Sequence, residues 1–451
     1  MAPHRPEESL RGEARQLVRL AWPIAAAQAG LVAMGLVDIA VLGRVSVTEL
    51  AGAAIGRSIG FAAITLAMGV STGLEPLAAQ ALGARNPDRA WLGLVATVKT
   101  VLALWLPLML LAYLTTSALG PLGASPEIVS RAKDYLLTQA PGLGLTVVFL
   151  AGKTFLQAHG ITRPALVASI AANVVNVVVC NLLVRGDDFL ALLGMPRLGL
   201  PAFGAWGAGV AFSIAEVVLV LIVARAVWVL RPVNAKGEVS ARRILAIGLP
   251  VGLQMLAEYG VFGLATLMVA RFGAEAVSAH QIALSYASFT YMGALGIGGA
   301  TAVRVGHAVG SGTSARRRGL VGIASGAAFM SLGALLFAVA PVFLMRLFTE
   351  DRGVISLGVQ LLTIAALFQL FDGVQTVAGG ALRGAGDVRF PFVATVLAHW
   401  LVGFPLAMLF GFTLGYGVRG IWWGLTSGLV AISAALSLRF LALSRRVMAE
   451  V

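Results

Sequence analysis

Three carboxylates stand where a chain of this kind can least easily keep them. Glu258 lies in LPVGLQMLAEYGVFGLATLMVARFG (249–273), Asp372 in FQLFDGVQTVAGG (368–380) and Asp38 in GLVDIAVLG (35–43), each within an otherwise apolar run. A carboxylate at the centre of a membrane-spanning helix costs about 2.5–3.5 kcal/mol on insertion scales, so three cost on the order of 9 kcal/mol. Either they are satisfied structural pairs or they are working parts. Around Asp372, the side chains Gln369, Gln375 and Thr376 fall on the same helical face. Glu258 has Gln254 one turn before it and Tyr259 beside it, and the next apolar segment carries His280, Gln281, Ser285, Tyr286 and Tyr291. A sodium ion asks for several hard oxygen ligands, by analogy with other hard cations. A proton asks only for a desolvated carboxylate. Either ion suits Glu258 and Asp372. Asp38, about two-thirds along its own segment, has no basic residue within the run, Arg44 and Arg57 belonging to the flank beyond it. Asn173, Asn176, Cys180 and Asn181 recur on one face of another apolar segment, as cavity lining or as interhelical hydrogen bonding.

The elements that must hold these residues are membrane helices. Of 451 residues, 59% are hydrophobic and 12% charged, about half the charged share of an ordinary soluble protein. Windows of about twenty apolar residues place spans near 20–43, 52–80, 92–117, 129–152, 164–184, 205–230, 244–270, 277–304, 319–347, 354–380, 391–413 and 420–443. The first is too long for a signal-peptide core and reads as a retained span. The formal charge of +13 could suggest nucleic acid, but the distribution argues for membrane topology and no nucleic-acid partner. Lys and Arg are about twice as numerous at the termini and in the loops after even-numbered spans as in the loops after odd-numbered spans, which predicts a cytoplasmic-membrane protein with both termini cytoplasmic. Trp and Tyr near span ends suit interfacial anchors in lipid.

The chain also repeats. Shifted by 227 residues, ARQLVRLAWPI (14–24) falls on ARRILAIGLPV (241–251), so that Pro23 meets Pro250 and Arg44 meets Arg271. Six spans per half, an even number, give parallel repeats: an N-terminal lobe over 1–230 and a C-terminal lobe over 231–451. Such repeats build secondary transporters, with the binding site near the midplane, though duplication also builds channels. The acids break the symmetry. Asp38 aligns with Ala265, Glu258 with Leu31 and Asp372 with Thr146, which favours tasks specific to one half over packing common to both.

Other polar residues read more plainly. Glu75, near the repeat position of Arg304, suits a structural ion pair, and Glu216 stands without a partner in the sixth span. Pro23 and Pro250 kink or begin their spans. The single Cys180 permits no disulfide framework. No P-loop, HExxH or Ser/His/Asp grouping is visible, so nothing points to ATP, to hydrolysis or to a bound cofactor, and the scattered histidines form no metal cluster.

Taken together, GLVDIAVLG followed by LAG, LEPLAAQALGA, VSAHQIALS, AVRVGHAVGSG and FDGVQTVAGGALRGAGD resemble the multidrug and toxic compound extrusion (MATE) family, specifically its NorM-like branch, over nearly the whole chain. The resemblance implies an all-α membrane protein of twelve helices in two six-helix lobes. It implies a secondary antiporter, not an enzyme, that exports small organic, often cationic, compounds against inward sodium or protons, with a monomer sufficient for the mechanism. It assigns coupling-ion binding to Glu258, Asp372 and Asp38, and places Gln281 in the substrate cavity. Tyr259, Tyr286, Gln369, Asn173 and Asn176 are the further cavity candidates from the residue patterns. Glu75 departs from the bacterial pattern and resembles the LET of plant relatives. The alternatives are a lipid-intermediate flippase, whose cavity would be basic, and a channel or receptor, which would not accumulate substrate uphill.

Overall fold

The computed structural model describes residues 10–450 apart from 122, 234, 447 and 449; residues 1–9, with Arg5 of the charged N-terminal stretch, lie outside the described residues. The described chain is helical throughout. Its first half forms α1 (Leu10–Leu42), α2 (Val47–Thr72), α3 (Leu74–Gly83), α4 (Pro87–Thr116), α5 (Pro126–Ala158), α6 (Arg163–Arg185), α7 (Asp187–Leu192) and α8 (Gly204–Val229). The second half forms α9 (Ala241–Ala270), α10 (Ala274–Gly310), α11 (Arg316–Val339), α12 (Pro341–Arg346), α13 (Arg352–Gly384), α14 (Arg389–Val396), α15 (Phe404–Met408) and α16 (Gly417–Leu443). Two π-helical segments, Leu397–Gly403 and Leu409–Thr413, flank α15.

Among the described residues, eleven helical stretches are long and apolar enough to cross a membrane, and α10, at 37 residues, is the twelfth long helix. Its Ser, His, Gln, Tyr and Gly content keeps it less apolar than the others. The protein is therefore a multi-pass membrane protein of twelve spanning helices. Sequence chemistry sets the ends: Ser46 Oγ accepts from Thr48 N–H at 3.2 Å to start α2, and Asp351 Oδ1 accepts from Val354 N–H at 2.9 Å to start α13. The ninth span ends sooner than hydropathy alone suggests, because Pro341 cannot continue α11 and instead begins α12. The second span breaks at Gly73 into α2 and α3.

Two compact units result. One comprises residues 27–74 and 87–252; the other comprises the chain up to residue 26, with 75–86 and 253–451. Thus α1 changes unit just after Pro23, α9 just after Pro250, and the second span just after Gly73. In the first unit α5 packs on α2, α4 and α8, and α8 on α6. Small residues let these backbones approach: a Cβ at Gly69 would stand 2.1 Å from Gly252 Cα, and one at Gly56 2.5 Å from the Ala132 carbonyl. In the other unit α13 is the central helix, against α10, α11 and α16. Leu17, Ala21 and Ile24 of α1 pack there on Ile297, Ala300 and Val377.

Candidate functional site

The second unit assembles the first acidic site. Glu258 sits mid-way along α9 and Asp372 mid-way along α13. Gln254 Nε2, one turn earlier on α9, donates to Glu258 Oε1 at 3.1 Å. Gln375 Nε2 reaches across from α13 to the same oxygen at 3.2 Å. Asp372 is 9% exposed and lies close enough for the charge of Glu258 to act on it. Thr376 spends its hydroxyl on its own helix, donating to the Asp372 carbonyl at 2.7 Å. Gln369 is fully buried and donates to Thr290 Oγ1 of α10. The side-chain oxygens of Gln369 and Gln375 are buried without partners. Two carboxylates and two unsatisfied amide oxygens therefore share one helix face and its neighbour, a set of acceptors with too few donors.

The remaining sequence candidates of this half are dispersed. Tyr259, next to Glu258, is 54% exposed, and Gln281 is exposed on α10. Tyr286 turns away from the carboxylates: its hydroxyl donates to the Leu344 carbonyl at 2.8 Å and its ring packs edge-on to Phe337 and Phe348. His280 is buried between two partners, accepting from Trp422 Nε1 at 3.1 Å on one side and lying 3.1 Å from Thr266 Oγ1 on the other.

The other unit holds Asp38, 2% exposed, in a different kind of place. Tyr135 of α5 donates its hydroxyl to Oδ2 at 2.9 Å, Asn176 of α6 donates to Oδ1 at 3.4 Å, and the Cys180 thiol lies alongside. Asp38 also has a basic neighbour after all. Arg57 acts on it through its charge. Although distant from Asp38 along the chain, Arg57 returns to it because α1 and α2 form an antiparallel hairpin about Ser46, which brings residue 57 back opposite residue 35. The guanidinium fills the space over Gly35, where a Cβ would stand 1.7 Å from Nη2. Asn173 donates to the Gly30 carbonyl at 2.9 Å, a helix-to-helix tie. Asn181, placed by periodicity on the same face, instead donates to Val177 of its own helix at 2.8 Å. Tyr135 is the residue that pattern reading passed over; a tyrosine within α5, away from the interfacial ends, was the available signal.

Two lesser acids also resolve. Glu75 pairs with Arg383, Oε2 to Nε at 3.2 Å, and Arg304 pairs with Glu13. Glu216 on α8 is 1% exposed beside Thr146, with Oε2 unpartnered. Among the described residues, no group of three His, Cys, Asp or Glu side chains is placed to hold a metal ion.

Known proteins share this architecture. The MatE family profile matches residues 23–182 and 250–409, the second match displaced from the first by the 227 positions of the internal repeat. The chain is 36% identical over 463 residues to a probable multidrug resistance protein NorM of Rhodopseudomonas palustris, covering 97% of this chain and 94% of that one. It is 34% identical over 446 residues to the corresponding protein of Deinococcus radiodurans, covering 97% of each. Among solved structures, the Vibrio cholerae MATE transporter VcmN in the bent form superposes with a TM-score of 0.84 at 21% identity, covering 97% of this chain and 98% of that one. The eukaryotic MATE transporter AtDTX14 superposes with a TM-score of 0.83 at 19% identity, covering 96% of both.

Proposed function

The chain belongs to the MatE family, and from that premise we propose that it is a multidrug efflux transporter working as an ion-driven antiporter. It exports small organic cations across the cytoplasmic membrane, with both termini cytoplasmic, in exchange for inward sodium or protons. The relatives carry the names of multidrug resistance proteins, which supports the export of structurally varied compounds. The observation that carries the exchange is the Glu258–Asp372 pair: two neighbouring carboxylates with two donors between them and orphaned amide oxygens at their side.

The chemistry follows from that arrangement. Two like charges in a low-dielectric site favour taking up one positive charge between them. A coupling ion and an organic cation both supply it, so each excludes the other. The exposed Tyr259 ring beside Glu258 offers a face to an organic cation. Alternating exposure of the site to the two sides of the membrane then turns competition into exchange. The prolines at which α1 and α9 change unit are the natural bending points. An inward unit charge gains about 2.3 kcal/mol per 100 mV, enough for roughly fiftyfold accumulation on the scale of 1.4 kcal/mol per tenfold. Asp38, already held by Tyr135, Asn176 and the charge of Arg57, serves in this reading to position α1 against its neighbours.

The test is ethidium movement in proteoliposomes with a sodium gradient and a pH gradient imposed separately. Uphill transport driven by one gradient, and absent in Glu258→Gln, supports antiport and identifies the ion. Ethidium that only equilibrates, whichever gradient is imposed, makes the protein a passive pathway and overturns the reading.

A further inference from the structure

The acidic site is connected to one end of its unit by a line of residues along α13. Asp372, Gln375, Gly379 and Arg383 follow one another at helical spacing on a single face. Gln375 holds Glu258, and Gly379 leaves the room into which Arg383 turns back: a Cβ there would stand 3.6 Å from Arg383 Nη1. The guanidinium pairs through Nε with Glu75 of α3. Both side chains are largely buried, at 15% and 6% exposure. The charge of Arg383 also acts on Glu258. The guanidinium, turned back over Gly379, thus lies on the face that leads through Gln375 to Glu258.

What Glu75 holds down is the short helix α3. α3 begins just past the break at Gly73, where the chain changes unit. It lies backbone-to-backbone on α10, since a Cβ at Gly310 would stand 1.9 Å from the Gln80 carbonyl and one at Gly83 2.5 Å from that of His307. Gln80 Nε2 donates to the Gly384 carbonyl at 3.0 Å, tying α3 to the same end of α13. Besides these, the Glu13–Arg304 pair secures the start of α1 on α10 at this end of the unit.

We propose that the Glu75–Arg383 pair is a latch on α3 whose strength depends on whether Glu258 carries a coupling ion. With the ion bound, Glu258 is neutralised and Arg383 belongs to Glu75, so the latch is closed. When the ion leaves, the bare Glu258 carboxylate competes along the helix face for the same guanidinium, the hold on Glu75 weakens, and the start of α3 loosens from α13. Ion release and opening at that end of the unit thereby become one event. The inference rests on the reading that Glu258 binds the coupling ion, and makes Glu75 and Arg383 positioning residues.

Gly299→Cys provides the probe. A Cβ at Gly299 meets nothing closer than Glu75 Oε1, at 3.7 Å, so the position takes a side chain without a clash at Cβ and lies under the latch. The native Cys180 is buried and sets the background. In purified protein carrying Gly299→Cys, a polar maleimide is expected to label the introduced thiol at least severalfold faster when Glu75→Gln or Arg383→Gln is added. Labelling should be no faster with both substitutions than with either one, and should keep the original rate with Arg383→Lys. In the otherwise wild-type chain, saturating sodium at fixed pH slows labelling, as does acid once the slower reaction of a free thiol at the same pH is divided out, and in Glu258→Gln neither does. Unchanged labelling in Glu75→Gln overturns the latch, whatever Glu258 does. Faster labelling in the latch variants together with no effect of either ion on the otherwise wild-type chain overturns the coupling. If ion-driven ethidium transport that requires Glu258 persists in that case, the antiport reading stands while this inference fails.

Discussion

The two buried acidic sites differ in how far the protein itself satisfies them. Asp38 has a tyrosine hydroxyl on one oxygen, an asparagine amide on the other, and the charge of Arg57 nearby. Glu258 has two glutamine donors on one oxygen, and the neighbour whose charge acts most directly on Asp372 is Glu258 itself. Burying a charge is costly unless it is paired and hydrogen-bonded. The first site gives each carboxylate oxygen a donor of its own, with Asn176 Oδ1 beside it left without a partner. The second concentrates both donors on one oxygen of Glu258 and leaves the amide oxygens of Gln369 and Gln375 without partners. Under the proposed function, the same residue class thus does structural work in one unit and transport work in the other.

Substitutions separate the two. Glu258→Gln removes the charge but keeps the shape and hydrogen-bonding capacity of the site. It is expected to abolish ion-driven efflux, a loss on the order of a hundredfold or more if about 3 kcal/mol of ion binding goes with it, while the purified protein unfolds no earlier than wild type on heating. Asp38→Ala is expected to do the converse first. It leaves the buried Tyr135 hydroxyl without its acceptor and lowers stability by about 1–3 kcal/mol, read as an earlier thermal transition. A wild-type melting curve for Asp38→Ala would erase the distinction.

Smaller changes sharpen it. Gly35→Ala puts a methyl group where the Arg57 guanidinium lies, and forcing that side chain aside is expected to cost about 1–3 kcal/mol. In combination with Arg57→Ala the cost should largely disappear, a double-mutant cycle that reports directly on the contact. Tyr135→Phe removes one hydrogen bond to Asp38, for a loss of about 1–3 kcal/mol, and leaves ion dependence intact. Gln375→Leu takes away one of the two donors to Glu258 and is expected to shift the ion concentration for half-maximal transport severalfold, with the smallest effect on melting.

Much of this arrangement was legible in the sequence. Hydropathy placed the spanning helices, the 227-residue repeat recurs in the two MatE matches, and helical periodicity put Gln369, Gln375 and Thr376 beside Asp372. What escaped has physical reasons. Linear distance hides a hairpin partner such as Arg57, and although the sequence marks Glu75 for a structural ion pair, the partner, Arg383, lies 308 residues further along the chain. Tyr286 shares a helix with the polar cluster, but its hydroxyl finds the end of α12. Hydropathy windows also cannot register that α1 and α9 change unit beyond their prolines, since lipid-facing composition is the same on both sides of the bend.

The central claim is mutual exclusion at Glu258 and Asp372, and equilibrium binding tests it most directly. Ethidium bound to the purified protein would be titrated with sodium at fixed pH and with acid at fixed sodium, for wild type and Glu258→Gln. The account predicts that one of the two ions displaces ethidium competitively, raising its apparent Kd in proportion to ion concentration, and that this dependence vanishes in Glu258→Gln. Ethidium and both ions binding together to the wild-type protein, with no effect on one another's affinity, would contradict it.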